Sequence, residues 1–374
     1  MGSVKKLPNG KYRARYRGPD GRERARHFAL KRDAERWVVT NESARAKGDW
    51  IDPDRGRLTV SEWAPVWLAT KATLKAKSRL DYESVLRTQV LLRWGAVPLN
   101  RITHADVVAW VAELSRRLGP SRTRKALDVL SQCLRMAIRD GRLARDPTLG
   151  VKRPRPRRGR QRFLTHAEVD KLAAECPPPF DLFVLLVAYT GVRFGEAAGL
   201  RVGDLDLHRG RLRVETSVVE VLGQLEETTP KSHRTRTVPV PRFLREQLAA
   251  LAAGRDPAHR LFTTKNGRQL RNSNFRHQVF DPAVRRAGLA PLTPHDLRDT
   301  AASLAVASGA TVKAIQRMLG HASAAMTLDV YAGLFDDELD DVADRMSEAA
   351  EAARQRDVRT GCGPDGDAAV LETS

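Results

Sequence analysis

The segment GHASAAMTLDVYAGL, residues 320–334, holds one aromatic side chain, Tyr331. Gly320 reads as the stop of a preceding helix, which puts His321 in a turn, and Ser323 reads as the cap of a second short helix. Tyr331 then falls ten residues after His321, after that helix. An aromatic ring at such a place either packs into a core or presents its hydroxyl for chemistry. The rest of the chain decides between them.

Three further stretches concentrate ionisable groups. In TGVRFGEAAGL, residues 190–200, Arg193 follows a glycine turn after the apolar run LFVLLVAYT. An arginine tethered to a buried helix is held in place, which suits a bidentate grip on phosphate; the plainer use is a structural pair with Glu196. In TPKSHRTRTVPV, residues 229–240, Lys231 precedes a strand-like run on an expected hairpin, where it is placed to protonate a leaving oxygen. Arg234 and Arg236 are alternatives, and the sequence leaves open which of the three points inward. In LTPHDLRDTAASLAVASG, residues 292–309, Thr293 caps a helix, Pro294 takes its first position, and His295 and Arg298 stand three apart on one face. Cationic groups are poor partners for a helix N-terminus, but a phosphate there suits both. The competing account is an exposed first turn with incidental charges.

Pooled around a phosphodiester, these groups define a reaction. Two guanidiniums offset charge that grows on the nonbridging oxygens in the transition state. A tyrosine is only about 0.1% ionised at neutral pH and needs a base or cationic support, for which His295 and His321 are the candidates. Attack at phosphorus would yield a phosphotyrosyl link and release a hydroxyl protonated by Lys231. No HExxH, Walker loop or carboxylate cluster accompanies these motifs, so neither metal nor cofactor is expected. Asp204 and Asp206 in RVGDLDLHRG read as part of a polar turn.

Charge points to the same class of substrate. The chain has 374 residues, enough for two or three domains, and a net charge of +20 from 65 Lys plus Arg against 45 Asp plus Glu. Such a field favours a polyanion, nucleic acid first, although an arginine-rich coding bias would also raise it. The apolar runs are shorter than the roughly 20 residues of a membrane span, and no secretory leader opens the chain, so a cytoplasmic protein with no membrane partner is expected. Cys133, Cys176 and Cys362 are too scattered for a disulfide framework or a zinc site.

Organisation follows from pattern breaks. Residues 1–56 read as a small module: Tyr12 to Arg17, the turn GPDG, and Arg24 to Phe28 form a hairpin, with a helix placing Ala34, Trp37 and Val38 against it. Arg13, Arg15, Arg17, Arg24 and Arg26 are expected along one face, able to follow phosphates or enter a groove. Residues 57–150 show helix-length patterns only, capped at Thr103 and Ser121 and stopped at Gly141, with Arg122, Arg124 and Lys125 on a helix that can pack and touch a DNA backbone at once. Residues 151–162, VKRPRPRRGRQR, hold seven basic residues and two prolines, which predicts an extended basic linker with Arg155, Arg157 and Arg158 available to DNA. Residues 163–335 read as a mainly helical domain with a small antiparallel sheet, including a Thr165/Glu168 capping box. Residues 336–358 form an acidic helical pattern suited to a protein partner, and 359–374 read as a disordered tail.

Together TGVRFGEAAGL, KSHRTRTVPV, HDLRDTAAS and MLGHASAAMTLDVYAGL resemble the catalytic signature of the tyrosine recombinase family, and the layout resembles its phage-type integrases. The resemblance implies catalytic roles for Arg193, Lys231, His295, Arg298, His321 and Tyr331, with Glu196 supporting the first arginine. It implies a multidomain fold: a small α+β arm-binding module with a three-stranded sheet, an all-α core-binding domain, and a mainly α catalytic domain with a small antiparallel sheet. It also implies a homotetramer on double-stranded attachment sites, without metal or nucleotide, with a DNA-bending protein and an excision factor as accessory partners. A type IB topoisomerase or a noncatalytic DNA-binding protein would share parts of this pattern. The first has less need of a separate N-terminal module, and the second leaves the ordered site residues unexplained.

Overall fold

The computed structural model describes residues 2–46, 50, 52, 55–155, 162–230, 235–331, 344 and 346–354. The chain divides into two compact units, residues 1–159 and 160–374, so the boundary falls inside the basic stretch.

The first unit begins with an antiparallel sheet of β1 (Ser3–Lys6), β2 (Tyr12–Arg17) and β3 (Glu23–Phe28), in that order. The hairpin is the one legible in the sequence, and β1 supplies the third strand. Helix α1 (Lys31–Ala46) covers one side, where Ala14, Ala34 and Val38 are buried and Trp37 meets Tyr16 edge-on at 5.0 Å. Pairing register corrects the expectation of a single basic face. Arg13 faces His27 and Lys5, and Arg15 faces Ala25 and Ser3, on the exposed side. Arg24 pairs with Tyr16 and Arg26 with Ala14, so both belong to the side that α1 covers, because side chains alternate with period two and pairing keeps partners on one face.

Further on, α2 (Val60–Ala69), α3 (Ala76–Val85), α4 (Leu91–Trp94), α5 (His104–Arg117) and α6 (Pro120–Arg139) enclose a core. Trp63, Trp67, Trp94 and Trp110 are buried there with Leu114, Leu127 and Leu130. Thr59 and Glu62 form a capping box at α2, and Thr103 caps α5 through the Asp106 N–H. Ser121 is not a cap: Gly119 holds that place and Pro120 starts α6. A proline at the first helical position loses no intrahelical bond, which lets the helix begin there. Gly141, with φ 68°, takes the left-handed turn after α6. Cys133 and Cys176 are buried free thiols, in the first and second unit respectively.

The second unit starts with α7 (His166–Ala174), capped by the Thr165/Glu168 box, and the apolar α8 (Phe180–Thr190). After α9 (Phe194–Gly199), Asp204 closes a short turn on the Arg201 N–H at 2.8 Å, and Asp206 lies in the two-residue strand β4 (Leu205–Asp206). Strand β5 (Arg211–Val214) is followed by a hairpin of β6 (Ser217–Val221), within the strand-like run RLRVETSVVEVLG, and β7 (Gln224–Thr228), in the polar stretch after it. Strand β8 (Arg236–Pro239) pairs with β5, giving the sheet order β4-β5-β8. Then come α10 (Arg242–Ala252), α11 (Asn272–Phe275), α12 (Asp281–Arg286), α13 (Pro294–Ala307), α14 (Val312–Leu319) and α15 (Ala324–Tyr331). Phe183, Phe262, Phe275 and Phe280 fill the middle of the unit, and α13 lies along α8. Fully burying side chains of this size contributes about 1.5–3 kcal/mol each, enough to hold the loops that follow these helices.

No helix among the described residues is long and apolar enough to cross a membrane. Residues 346–354 are helical and exposed. Most of the predicted acidic segment 336–358, and the tail 359–374, lie outside the described residues.

Candidate active site

The site is assembled where α8 ends, α9 and α13 begin, β8 starts and α14 stops. Gly191 terminates α8 with φ 66°, and a Cβ there would lie 2.5 Å from Leu319 Cδ2. Glycine therefore meets both the conformational and the spatial demand. The turn places Arg193 at the cap of α9. Glu196, fully buried in the first turn of α9, accepts the Arg193 backbone N–H at 2.9 Å and Arg193 Nη1 at 2.9 Å.

Glu196 also grips a second cation. Arg236 donates Nη1 to Oε1 at 3.0 Å and Nη2 to Oε2 at 2.6 Å, while its Nε donates to the Met318 carbonyl at 3.1 Å. Arg236 was one of three candidates on the hairpin. Its register turns it inward: it pairs with Val214, on the face that buries Val238 and Leu212. Lys231 and Arg234 lie outside the described residues. Burial pushes the Glu196 carboxyl upward, but the bonds and charge of Arg236, with those of Arg193, prevail and hold it at about 2. Its charge is thus fixed across the neutral range.

Arg298, on α13, is almost wholly buried; its Nη1 donates to the Gly191 carbonyl and its Nη2 to the Leu319 carbonyl at 2.5 Å. It ties the ends of α8 and α14 together. Burial, aided by the positive charge of Arg193, lowers its pKa to about 9. His295 stands exposed one residue into α13, after a cap in which Asp296 accepts the Thr293 N–H at 2.6 Å.

Gly320, with φ 65°, ends α14 as expected and turns the chain to His321. His321 Nδ1 lies 3.0 Å from the Thr327 hydroxyl. Burial first, and then the surrounding Arg298, Arg193, Arg236 and His295, depress its pKa to about 4. At neutral pH it is an uncharged imidazole, able to donate one hydrogen bond without adding charge.

Tyr331 closes α15 and is both things the sequence allowed. Its ring packs with Ala302, Val306, Ile315 and Leu319, beside Phe163 at 6.3 Å, and is 2% exposed. Its hydroxyl donates to Asp299 Oδ1 at 2.7 Å. Burial, followed by that bond, raises the phenol above its ordinary range. Arg193, Glu196, Arg298, His321 and Tyr331 thus converge; Arg236, read from the sequence only as an alternative to Lys231, joins them, as do Asp299 and Thr327, which the sequence did not single out.

The candidate DNA-contacting residues divide. Arg24 is committed within the protein: it is paired with Asp20 at 2.8 Å and Asp52 at 2.9 Å and stacked over Trp50 at 4.6 Å. Arg26 lies over Phe28, and Arg15 donates to the Ser3 hydroxyl at 2.7 Å, while Arg13 and Arg17 are exposed. On α6, Arg124 and Lys125, with Arg135 and Arg153, line an open cleft of about 330 Å³; Arg122 lies nearby, 3.8 Å from Asp81. Arg155 is exposed. Arg157 and Arg158 lie outside the described residues.

Three family models cover most of the chain in order: the phage integrase N-terminal domain at residues 1–47, the phage integrase central domain at 60–153, and the phage integrase family at 162–338. The tyrosine recombinase XerD of Pseudomonas aeruginosa is 30% identical over 243 residues, 61% of this chain and 76% of that protein. The chain belongs to the phage integrase family of tyrosine recombinases. Its likeness to integrases runs longer: the putative prophage phiRv2 integrase of Mycobacterium tuberculosis is 29% identical over 348 residues, 88% of this chain and 90% of that one. The fold is similar to a lambda integrase tetramer bound to a Holliday junction, with TM-score 0.58 and 20% identity over 86% of this chain and 95% of that one. This recombinase accordingly has the multidomain fold of the family, with a small N-terminal sheet, a helical central domain and a catalytic domain.

Proposed function

We propose that this recombinase cleaves and rejoins DNA at attachment sites through a covalent 3′-phosphotyrosyl intermediate on Tyr331, integrating a phage or other mobile element. The observation that carries the reading is the convergence of Arg193, His321 and Tyr331 around the buried Arg298, with Glu196 holding Arg193. In this reading Arg193, the most exposed of the three guanidiniums at 25%, grips the scissile phosphate, with Arg298 supplying fixed positive charge behind it. His321 donates a neutral hydrogen bond to a nonbridging oxygen, His295 approaches the phosphate from the exposed turn, and Lys231 protonates the leaving oxygen. Arg236 holds Glu196 and so fixes Arg193. The phosphotyrosyl link conserves the cleaved bond for rejoining, which removes the need for a nucleotide.

The domain assignments belong to the same proposal. Residues 1–56 bind arm sites through Arg13, Arg15 and Arg17; 57–150 bind the core site through Arg122, Arg124 and Lys125; 151–162 form the basic linker; 163–335 catalyse; and 336–358 dock on a neighbouring subunit in a tetramer on DNA. The protein would act in the cytoplasm at chromosomal DNA, with a bending protein and an excision factor as accessory partners. A match to a phage integrase N-terminal domain supports this over a topoisomerase. Strand exchange between two labelled duplexes carrying the element and chromosomal cores, without ATP or metal, tests it. Recombinant products are expected; relaxation of plasmids lacking any core, with no recombinants, would establish the topoisomerase reading instead.

A further inference from the structure

The attacking phenol must lose a proton, and the sequence offered two histidines for it. Neither is placed as the acceptor. His321 has its Nδ1 on Thr327 and little affinity for a proton, and His295 stands exposed at the start of α13. Among the described residues the acceptor of the Tyr331 hydroxyl is Asp299, at 2.7 Å. We propose that Asp299 is the general base for Tyr331, a catalytic residue of the recombination reaction. The proposal rests on the reading of Tyr331 as the nucleophile.

The geometry meets what a base requires. The oxygen pair is within direct proton-transfer distance, and the hydrogen bond fixes the direction in which the phenol's remaining electron pairs point. Asp299 follows Arg298 on α13, so one helix carries both the base and a buried cation beside the reacting centre. Their neighbours Leu297 and Thr300 are fully buried, and Thr300 Oγ1 accepts the Leu164 N–H at 3.1 Å, which pins this turn of the helix. Tyr331 is enclosed while Asp299 is only half-buried, so a captured proton has a path to solvent. Burial and the aspartate together keep the phenol protonated at rest, so attack needs proton removal in the same step.

The step balances. As the Tyr331 oxygen bonds to phosphorus, its O–H bond breaks and the proton passes to Asp299 Oδ1. The bond from phosphorus to the 5′ oxygen breaks, and that oxygen leaves with the electron pair and takes a proton from the site's acid, the role assigned to Lys231. In rejoining, a 5′ hydroxyl attacks and gives its proton back to the group that acted as acid, the role assigned to Lys231, while Asp299 returns its proton to the departing phenol oxygen.

The test is the single-turnover rate of covalent complex formation by the full-length chain, on a duplex nicked so that the released fragment diffuses away. Asp299→Asn keeps an acceptor oxygen and the size of the side chain but removes the basicity. A rate lower by roughly 10²-fold or more, with DNA affinity and thermal midpoint near wild type, is expected. Asp299→Glu, which keeps the base, should recover part of that loss even if the amide variant folds poorly. Placing a fluorinated tyrosine, whose phenol is more acidic, at position 331 should shrink the loss caused by Asp299→Asn. A variant that cleaves at the wild-type rate or faster, or a loss unchanged by fluorination, would overturn the proposal. A complex still formed by Tyr331→Phe would instead overturn the nucleophile assignment on which it rests.

Discussion

Replacing Glu196 by Gln removes the anion buried between Arg193 and Arg236. The carboxyl is held at about 2 against an ordinary value of 4.5. By linkage that difference corresponds to about 3 kcal/mol of stability at pH 7. Its sign follows from the depressed pKa: the contribution is full above pH 4.5 and is lost as pH falls towards 2, because the unfolded chain takes up the proton first. All six tryptophans lie at or before residue 110, so their fluorescence follows the first unit alone. Urea unfolding should therefore be followed by circular dichroism in parallel with fluorescence. Glu196→Gln is expected to lower the stability of the second unit by about 3 kcal/mol from pH 8 to 5 and to leave the fluorescence transition in place, with the gap closing as pH falls below 4.5. A gap under about 1 kcal/mol at pH 7, or one undiminished at pH 3, would refute the view of Glu196 as the anion organising the site.

Titration of the histidine resonances should find His321 protonating at about 4, and a midpoint near the ordinary 6.5 would place it outside the arginine cluster. Gly191→Ala forces a left-handed alanine and a clash with Leu319, so a loss of about 1–2 kcal/mol or more is expected in the second unit's urea transition; an unchanged midpoint would contradict the turn. Arg24→Ala should lower the melting temperature of the N-terminal module and change Trp50 emission, because its partners are Asp20, Asp52 and that ring. Arg13→Ala should instead leave melting unchanged and weaken arm-site DNA binding with a shallower salt dependence, and the reverse pattern would refute the two-faced sheet.

What the sequence revealed depended on how local the information was. The capping box at Thr165, the cap at Thr293 and the glycine turns at Gly191 and Gly320 are set by a few adjacent residues, and their helices begin and end accordingly. Strand parity was present but unused. Arg236 lies two residues before the buried Val238 and so shares its inward face, and Arg24 alternates away from Arg13 and Arg15 across the hairpin. Asp299 gave no local signal at all. Its meeting with Tyr331 joins residues 32 apart through the packing of α13 against the end of α15, and only tertiary structure brings them together. Strand β7 was hidden by polar composition, since an exposed hairpin needs no apolar alternation.

The most direct test of the central claim is the chemical identity of the covalent DNA adduct. Wild-type protein would be trapped on a nicked duplex bearing the attachment core, digested with nuclease and protease, and sequenced by mass spectrometry. The account predicts a nucleotide phosphate on the peptide that contains Tyr331, and no adduct from Tyr331→Phe. A phosphonucleotide on any other residue, or one that persists in the variant, would contradict it.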